Sequence, residues 1–181
     1  RPPRSTLFPY TTLFRSETAE KIREILVTGK ANKIIAKTEL LLHYAARLDH
    51  MEKVILPALS KGKIVISDRF FDSTYAYQGY GHSVDIKMID KLNQISLGGF
   101  KPDVSFIFDI DEKTGLKRAN KRTGNENRYE KMGGAFHNKV RSGFLKIAKK
   151  NKDRCVIINA NDTIDNLHKL VLKHLRSKKI I

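Results

Sequence analysis

The chain has 181 residues, 40% of them hydrophobic and 30% charged, which suits one α/β domain and leaves too little for two comfortable ones. Its 35 lysines and arginines against 19 acids give a formal net charge of +16, a balance that points to a nucleic-acid or membrane-surface partner. No apolar run is long enough to cross a bilayer, and the single Cys155 excludes an internal disulfide and fits a reducing, cytoplasmic setting.

Residues 1 to 16 carry three of the five prolines and three arginines, with no acid and no helical or strand period. The prolines oppose the amphipathic helix that a transit peptide needs. The string also resembles translated sequencing-adapter DNA. The expectation is a non-native leader over 1–16, a natural start upstream of Glu17, and one domain over 17–181.

From Glu17 the apolar spacing predicts, in order, a helix over 18–27 stopping near Gly29 and a longer helix over about 33–60 that Pro57 bends or ends. A strand over 63–67 follows, then a polar and aromatic loop from Ser67 to Gln78. Helices are expected over 84–97, 112–121, 135–150 and 163–176, with strands over 104–109 and 155–159. Strands alternating with helices imply βαβ units around a parallel sheet. Cys155 opens the last strand, where a buried structural thiol is the expected reading.

Half of the excess charge lies in the tails: three arginines within 1–16, and Lys169, Lys173, Arg176, Lys178 and Lys179 within the last sixteen residues. That distribution weakens the nucleic-acid reading. A third basic concentration, between Lys117 and Arg141, surrounds the break Thr123, Gly124 and Asn125. A mobile basic segment of this kind can close over phosphates and neutralise a transferring phosphoryl group. Basic loops are also often simply solvated.

The strongest local signal is the run from Ser67 to Gln78, directly after an apolar strand pattern, because α/β proteins present their sites beyond the carboxyl ends of strands. Arg69 there suits a phosphate. Pairing of Asp68 with Arg69 or its neighbours is the structural alternative. Ser73, Thr74, Tyr77 and Gln78 add hydroxyls, an aromatic face and an amide fit for a nucleobase. On the long helix, His43, Arg47 and His50 stand at i, i+4 and i+7 and share a face, read either as a solvated polar face or as part of the site. Metal binding by that face is not expected, for want of a third ligand.

Together the strings from Ala19 to Arg23, His43 to Arg47, Asp68 to Phe70, Ala76 to Gly81, Lys101 to Asp103, Asp109 to Arg118 and Asn127 to Glu130 resemble the thymidylate kinase family from Glu17 to about residue 175. The resemblance implies an α/β, P-loop NTPase-like nucleoside monophosphate kinase fold with a three-layer parallel sheet. It implies transfer of the γ-phosphoryl of ATP, with Mg2+, to dTMP in a cytoplasmic homodimer with no membrane or specific nucleic-acid partner. By the family pattern Arg47 would meet the thymine and Arg69 the dTMP phosphate. Thr74, Tyr77 and Gln78 would complete the nucleoside pocket, and Asp68 would lie near Mg2+. His43 stands where the family carries a stacking phenylalanine. In a lid over about 118–134, Arg122 and Arg128 are the candidates for charge stabilisation, with Arg118 a further possibility.

The family's G-x-x-x-x-G-K-[ST] loop and its Arg-Glu-Pro-Gly-Gly segment have no counterpart in the 181 residues. The expectation is a fold lacking its first strand and phosphate loop, and a chain that is inactive as written. A non-catalytic nucleotide-binding module and a basic nucleic-acid-binding protein are the competing readings.

Overall fold

Ser16 opens the first helix. In the computed structural model, which describes residues 16–119 and 128–181, the Ser16 hydroxyl accepts from the Ala19 amide at 3.2 Å. Glu17 and Glu20 sit in the first turn, where the helix dipole favours negative charge. Helix α1 (Glu17–Val27) ends as the sequence predicts, and Gly29 turns the chain at φ +92°. The Ser16 hydroxyl also donates to Asp49, tying the start of α1 to the next helix.

The long predicted helix is three pieces: α2 (Ala36–His50), a π-helical turn (Met51–Ile55) and α3 (Leu56–Leu59). Pro57 falls in the first turn of α3. Its ring would meet the carbonyl four residues back in an unbroken α-helix, and a widened turn just ahead of it removes that conflict.

Two sequence expectations fail in the next segment. The strand over 63–67 forms only at Ile66, as an isolated bridge, and Ile64 and Ile66 are exposed. A strand exists only through its ladder, and among the described residues β1 pairs with β2 alone. The expected three-strand sheet therefore shows two strands. The loop expected from Ser67 to Gln78 is instead helical over much of its length: α4 (Phe71–Thr74) runs into a seven-residue π-helix (Tyr75–Gly81).

Helix α5 (Ile86–Leu97), capped by the Asp85 carboxylate at the Lys87 amide, leads to β1 (Ser105–Asp109) and α6 (Glu112–Ala119). A 3-10 turn (Glu130–Met132) precedes α7 (Gly133–Lys150), β2 (Cys155–Asn159) and α8 (Ile164–Ser177), the last capped by Thr163. β1 and β2 are parallel, with Ser105 opposite Cys155 and Asp109 opposite Asn159. Cys155 is buried and burial raises its thiol pKa, in keeping with a structural role.

Three apolar clusters hold the elements together. Leu40, Tyr44, Met51, Ile55, Phe71, Ile89 and Leu97 join α2 to α4 and α5. Ala19, Leu26 and Ala46 join α1 to α2, and Ala76, Val140 and Ile147 join the seven-residue π-helix to α7. That last contact is close because glycines make it so. A Cβ on Gly81 would sit 2.6 Å from the Phe136 ring, and one on Gly143 2.8 Å from the Tyr80 ring. Below the site, Arg154 makes two 2.7 Å hydrogen bonds to the two oxygens of Asp72, and Ser105 joins them, pinning the start of α4 to the loop before β2.

Candidate active site

The face of α2 that carries His43 and Arg47 is not a solvated one. Arg47 and His50 are buried, and His43 is half-buried. Arg47 lies between the rings of Tyr44 and Phe70, at 5.1 and 5.7 Å, and its Nη2 donates to Thr74 Oγ1 at 2.9 Å and to the Phe70 carbonyl at 3.4 Å. Its Nε and Nη1 have no hydrogen-bond partner among the described residues. Burial brings its pKa down to about 10, so the guanidinium remains charged at neutral pH.

His43 Nε2 lies 3.0 Å from the Tyr129 hydroxyl. Burial, followed by the charges of Arg47, Arg69 and Arg128, lowers its pKa to about 3, so the imidazole is neutral over the physiological range. Tyr129 crosses the Tyr77 ring edge to face at 5.3 Å, and Arg69 lies over Tyr77 with its Cζ 5.1 Å from the ring centroid. Arg69 itself is exposed, as is Asp68. The fold thus gathers His43, Arg47, Arg69, Thr74 and Tyr77 from α2 and from the segment 69–81.

Gln78 and Arg128 are brought to the same place but are wholly buried. The Gln78 amide donates to Glu39 Oε1 at 2.6 Å, and Arg128 Nη2 donates to Glu39 Oε2 at 2.5 Å. Arg128 Nη1 donates to the Leu26 carbonyl at 2.9 Å, and its backbone amide to the Val27 carbonyl at 3.2 Å. Glu39 and Tyr129 are residues that sequence reasoning missed. The signal for Glu39 was present: it stands four residues before His43, extending the same helical face by one turn. Arg122, and with it the middle of the expected lid, residues 120–127, lies outside the described residues.

Among the described residues no three His, Cys, Asp or Glu side chains gather as a metal cage. Mg2+ does not require one, since it commonly takes one or two carboxylates together with substrate phosphates and water. Exposed Asp68, beside the phosphate-suited Arg69, fits that donor set.

A parallel sheet flanked by helices, with arginines and aromatic rings converging beside it, is the architecture of a nucleotide-handling α/β enzyme, and a solved structure with the nucleoside monophosphate kinase fold superposes on it. That structure, the thymidylate kinase from Ehrlichia chaffeensis, matches with a TM-score of 0.71 and 34% identity over 92% of this chain and 80% of the other. The family model Thymidylate kinase matches residues 14–171. Thymidylate kinases of Lactobacillus acidophilus and Caulobacter vibrioides are 43% and 47% identical to the chain, over 90% and 81% of it and 76% and 70% of their own lengths. That of Wolbachia pipientis wMel is 49% identical over 83% of the chain and 72% of its own length. The chain belongs to the thymidylate kinase family, P-loop enzymes that phosphorylate dTMP with ATP.

Proposed function

We propose that this chain carries the dTMP half of that reaction, and that the 181 residues alone bind dTMP without phosphorylating it. The observation that carries the reading is Arg47: a buried cation with two guanidinium nitrogens unpartnered among the described residues lacks an acceptor. Leaving buried donors unpaired costs about 1–3 kcal/mol, so a pyrimidine carbonyl that accepts from them binds with an advantage. Arg69, exposed at the mouth, is the phosphate contact, and Thr74, Tyr77 and Gln78 line the nucleoside. His43 takes the position against the base as a neutral ring.

When Mg2+ is bound with ATP it supplies neutralisation of phosphate charge, with Asp68 as its protein carboxylate. Arg122, or Arg128 on release from Glu39, would do the same from the lid. The motif that cradles ATP phosphates in this family does not occur in the sequence, and phosphoryl transfer depends on that positioning. A homodimer would pack on the exposed face of α2, where Leu41, Ala45 and Leu48 recur at i, i+4 and i+7. No described helix is long and apolar enough to cross a membrane.

Titration calorimetry with dTMP, dCMP and dAMP tests the reading. Preference for dTMP is expected, with no dTDP formed when ATP and Mg2+ are added. Equal binding of all three nucleotides, or tight and salt-sensitive binding of DNA of any sequence instead, would overturn the site assignment. Formation of dTDP would overturn only the claim of inactivity.

A further inference from the structure

Glu39 is a buried carboxylate at which the nucleoside pocket and the far end of the lid region meet. Its carboxylate is completely buried, and its two oxygens serve different segments. Oε1 accepts from Gln78 in the seven-residue π-helix and faces His82 Nε2 at 3.5 Å; Oε2 accepts from Arg128. Arg128 in turn grips the end of α1 through the Leu26 and Val27 carbonyls, and the adjacent Tyr129 reaches His43.

We infer that Glu39 is a positioning residue: its single buried charge fixes the orientation of Gln78 in the nucleoside pocket and holds the segment 128–132 against α2, so that the two are set together. The inference rests on the pocket being the dTMP site, but its first test does not.

An amide oriented by a carboxylate is held one way round. With one Nε2 hydrogen committed to Glu39, the amide cannot flip, and Gln78 Oε1 is fixed in place as an acceptor beside the second Nε2 hydrogen. A pyrimidine N–H meets an acceptor favourably, whereas a ring nitrogen lone pair does not. Thymine carries that N–H at position 3 and cytosine carries a lone pair there, so Glu39 would contribute to base selection without touching the base. On the other side, Arg128 is wholly buried and Glu39 is its counter-charge. Without that charge the guanidinium would be an unpaired buried cation, and the segment bearing it would have reason to leave.

Hydrogen exchange on the 181-residue chain is the first measurement. In Glu39→Gln, amides of 78–84 and of 128–132 are expected to exchange about tenfold faster together, while α8 amides keep their rates. Unchanged rates in either segment, or an equal rise across the whole chain, would overturn the inference. Should that variant fail to fold, Glu39→Leu with Arg128→Met replaces the pair by apolar side chains of similar size, and faster exchange at 78–84 is still expected.

The second measurement is dTMP affinity in a cycle of Glu39→Gln and Gln78→Ala. Each single change is expected to weaken binding about tenfold and the double change no more than either alone, because one acts through the other. Full additivity would overturn the inference. If the parent chain binds no dTMP, the functional reading fails while the exchange result still decides the role of Glu39.

Discussion

Two buried guanidinium–carboxylate pairs stand among the described residues, and they are closed to different degrees. Arg154 gives two hydrogen bonds to the two oxygens of Asp72, and Ser105 completes a local triangle. Arg128 gives Glu39 only one, spends its other terminal nitrogen on a backbone carbonyl, and leaves the second Glu39 oxygen to Gln78. A two-point pair of the first kind resists rotation of either partner and concerns only the segments it joins. A carboxylate shared among segments transmits a change in any one of them to the others. The first pair is scaffold, and the second adjoins the candidate site.

The largest expected effect breaks the scaffold pair. Asp72→Ala leaves Arg154 as a nearly buried unpaired charge and should cost about 3–5 kcal/mol in denaturant unfolding, while a loss under 1 kcal/mol would show that the triangle carries little. Site residues should behave in the opposite sense. Arg69→Ala, at an exposed position, is expected to leave unfolding unchanged and to weaken dTMP binding by about 1.5–3 kcal/mol, or roughly tenfold to a hundredfold. Unaltered affinity would remove Arg69 from the phosphate position. Arg47→Met should abolish measurable dTMP binding without lowering the melting temperature, since it removes a buried cation that no carboxylate among the described residues hydrogen-bonds.

His43 gives the comparison a pH axis. Its folded pKa, about 3, lies below the ordinary value of 6.5, so between those limits the unfolded chain binds the extra proton and stability falls as the solution is acidified. His43→Phe should remove up to about 2 kcal/mol of that loss at pH 5, seen as a flatter unfolding profile between pH 7 and 5. An unchanged slope would show that the imidazole is not held neutral. The smallest effect belongs to Arg141 and Asp109, a bidentate pair open to solvent. The hydrogen bonds from Arg141 hold the Asp109 carboxyl below its usual pKa, so its contribution is present at neutral pH and fades as pH drops through that lowered value. Arg141→Met should cost no more than about 1 kcal/mol, by thermal melting, after screening by water and salt.

Most helices of this fold were legible because their apolar faces repeat at three and four, as in α1, α5, α7 and α8. Residues 63 to 67 were β-branched in pattern yet form only an isolated bridge, because strand formation depends on a neighbour that a local pattern does not contain. The helical segment 71–81 read as a loop, since Gly79, Gly81, Ser73 and Thr74 are poor helix formers. Packing of Gly81 and Tyr80 against Phe136 and Gly143 of α7 overrides that propensity. At the candidate site, helical spacing singled out His43 and Arg47, and strand-end logic singled out Arg69. Glu39 escaped notice because a lone acid in the first turn of a helix looks like an ordinary dipole partner, and only its complete burial distinguishes it.

The seven-residue π-helix leaves the chain with a length-encoded vulnerability. Its wide turns hold Tyr77 toward Tyr129 and Gln78 toward Glu39 only because the backbone carries more residues per turn there than an α-helix would. Deleting a single residue ahead of Tyr77 removes one angular step, and unless the wide turn tightens to absorb the loss, the side chains on either side of the deletion are rotated by about 100° relative to one another. Helical circular dichroism would scarcely register such a lesion, yet the pocket wall would face the wrong way; in this stretch the count of residues is as informative as their identity.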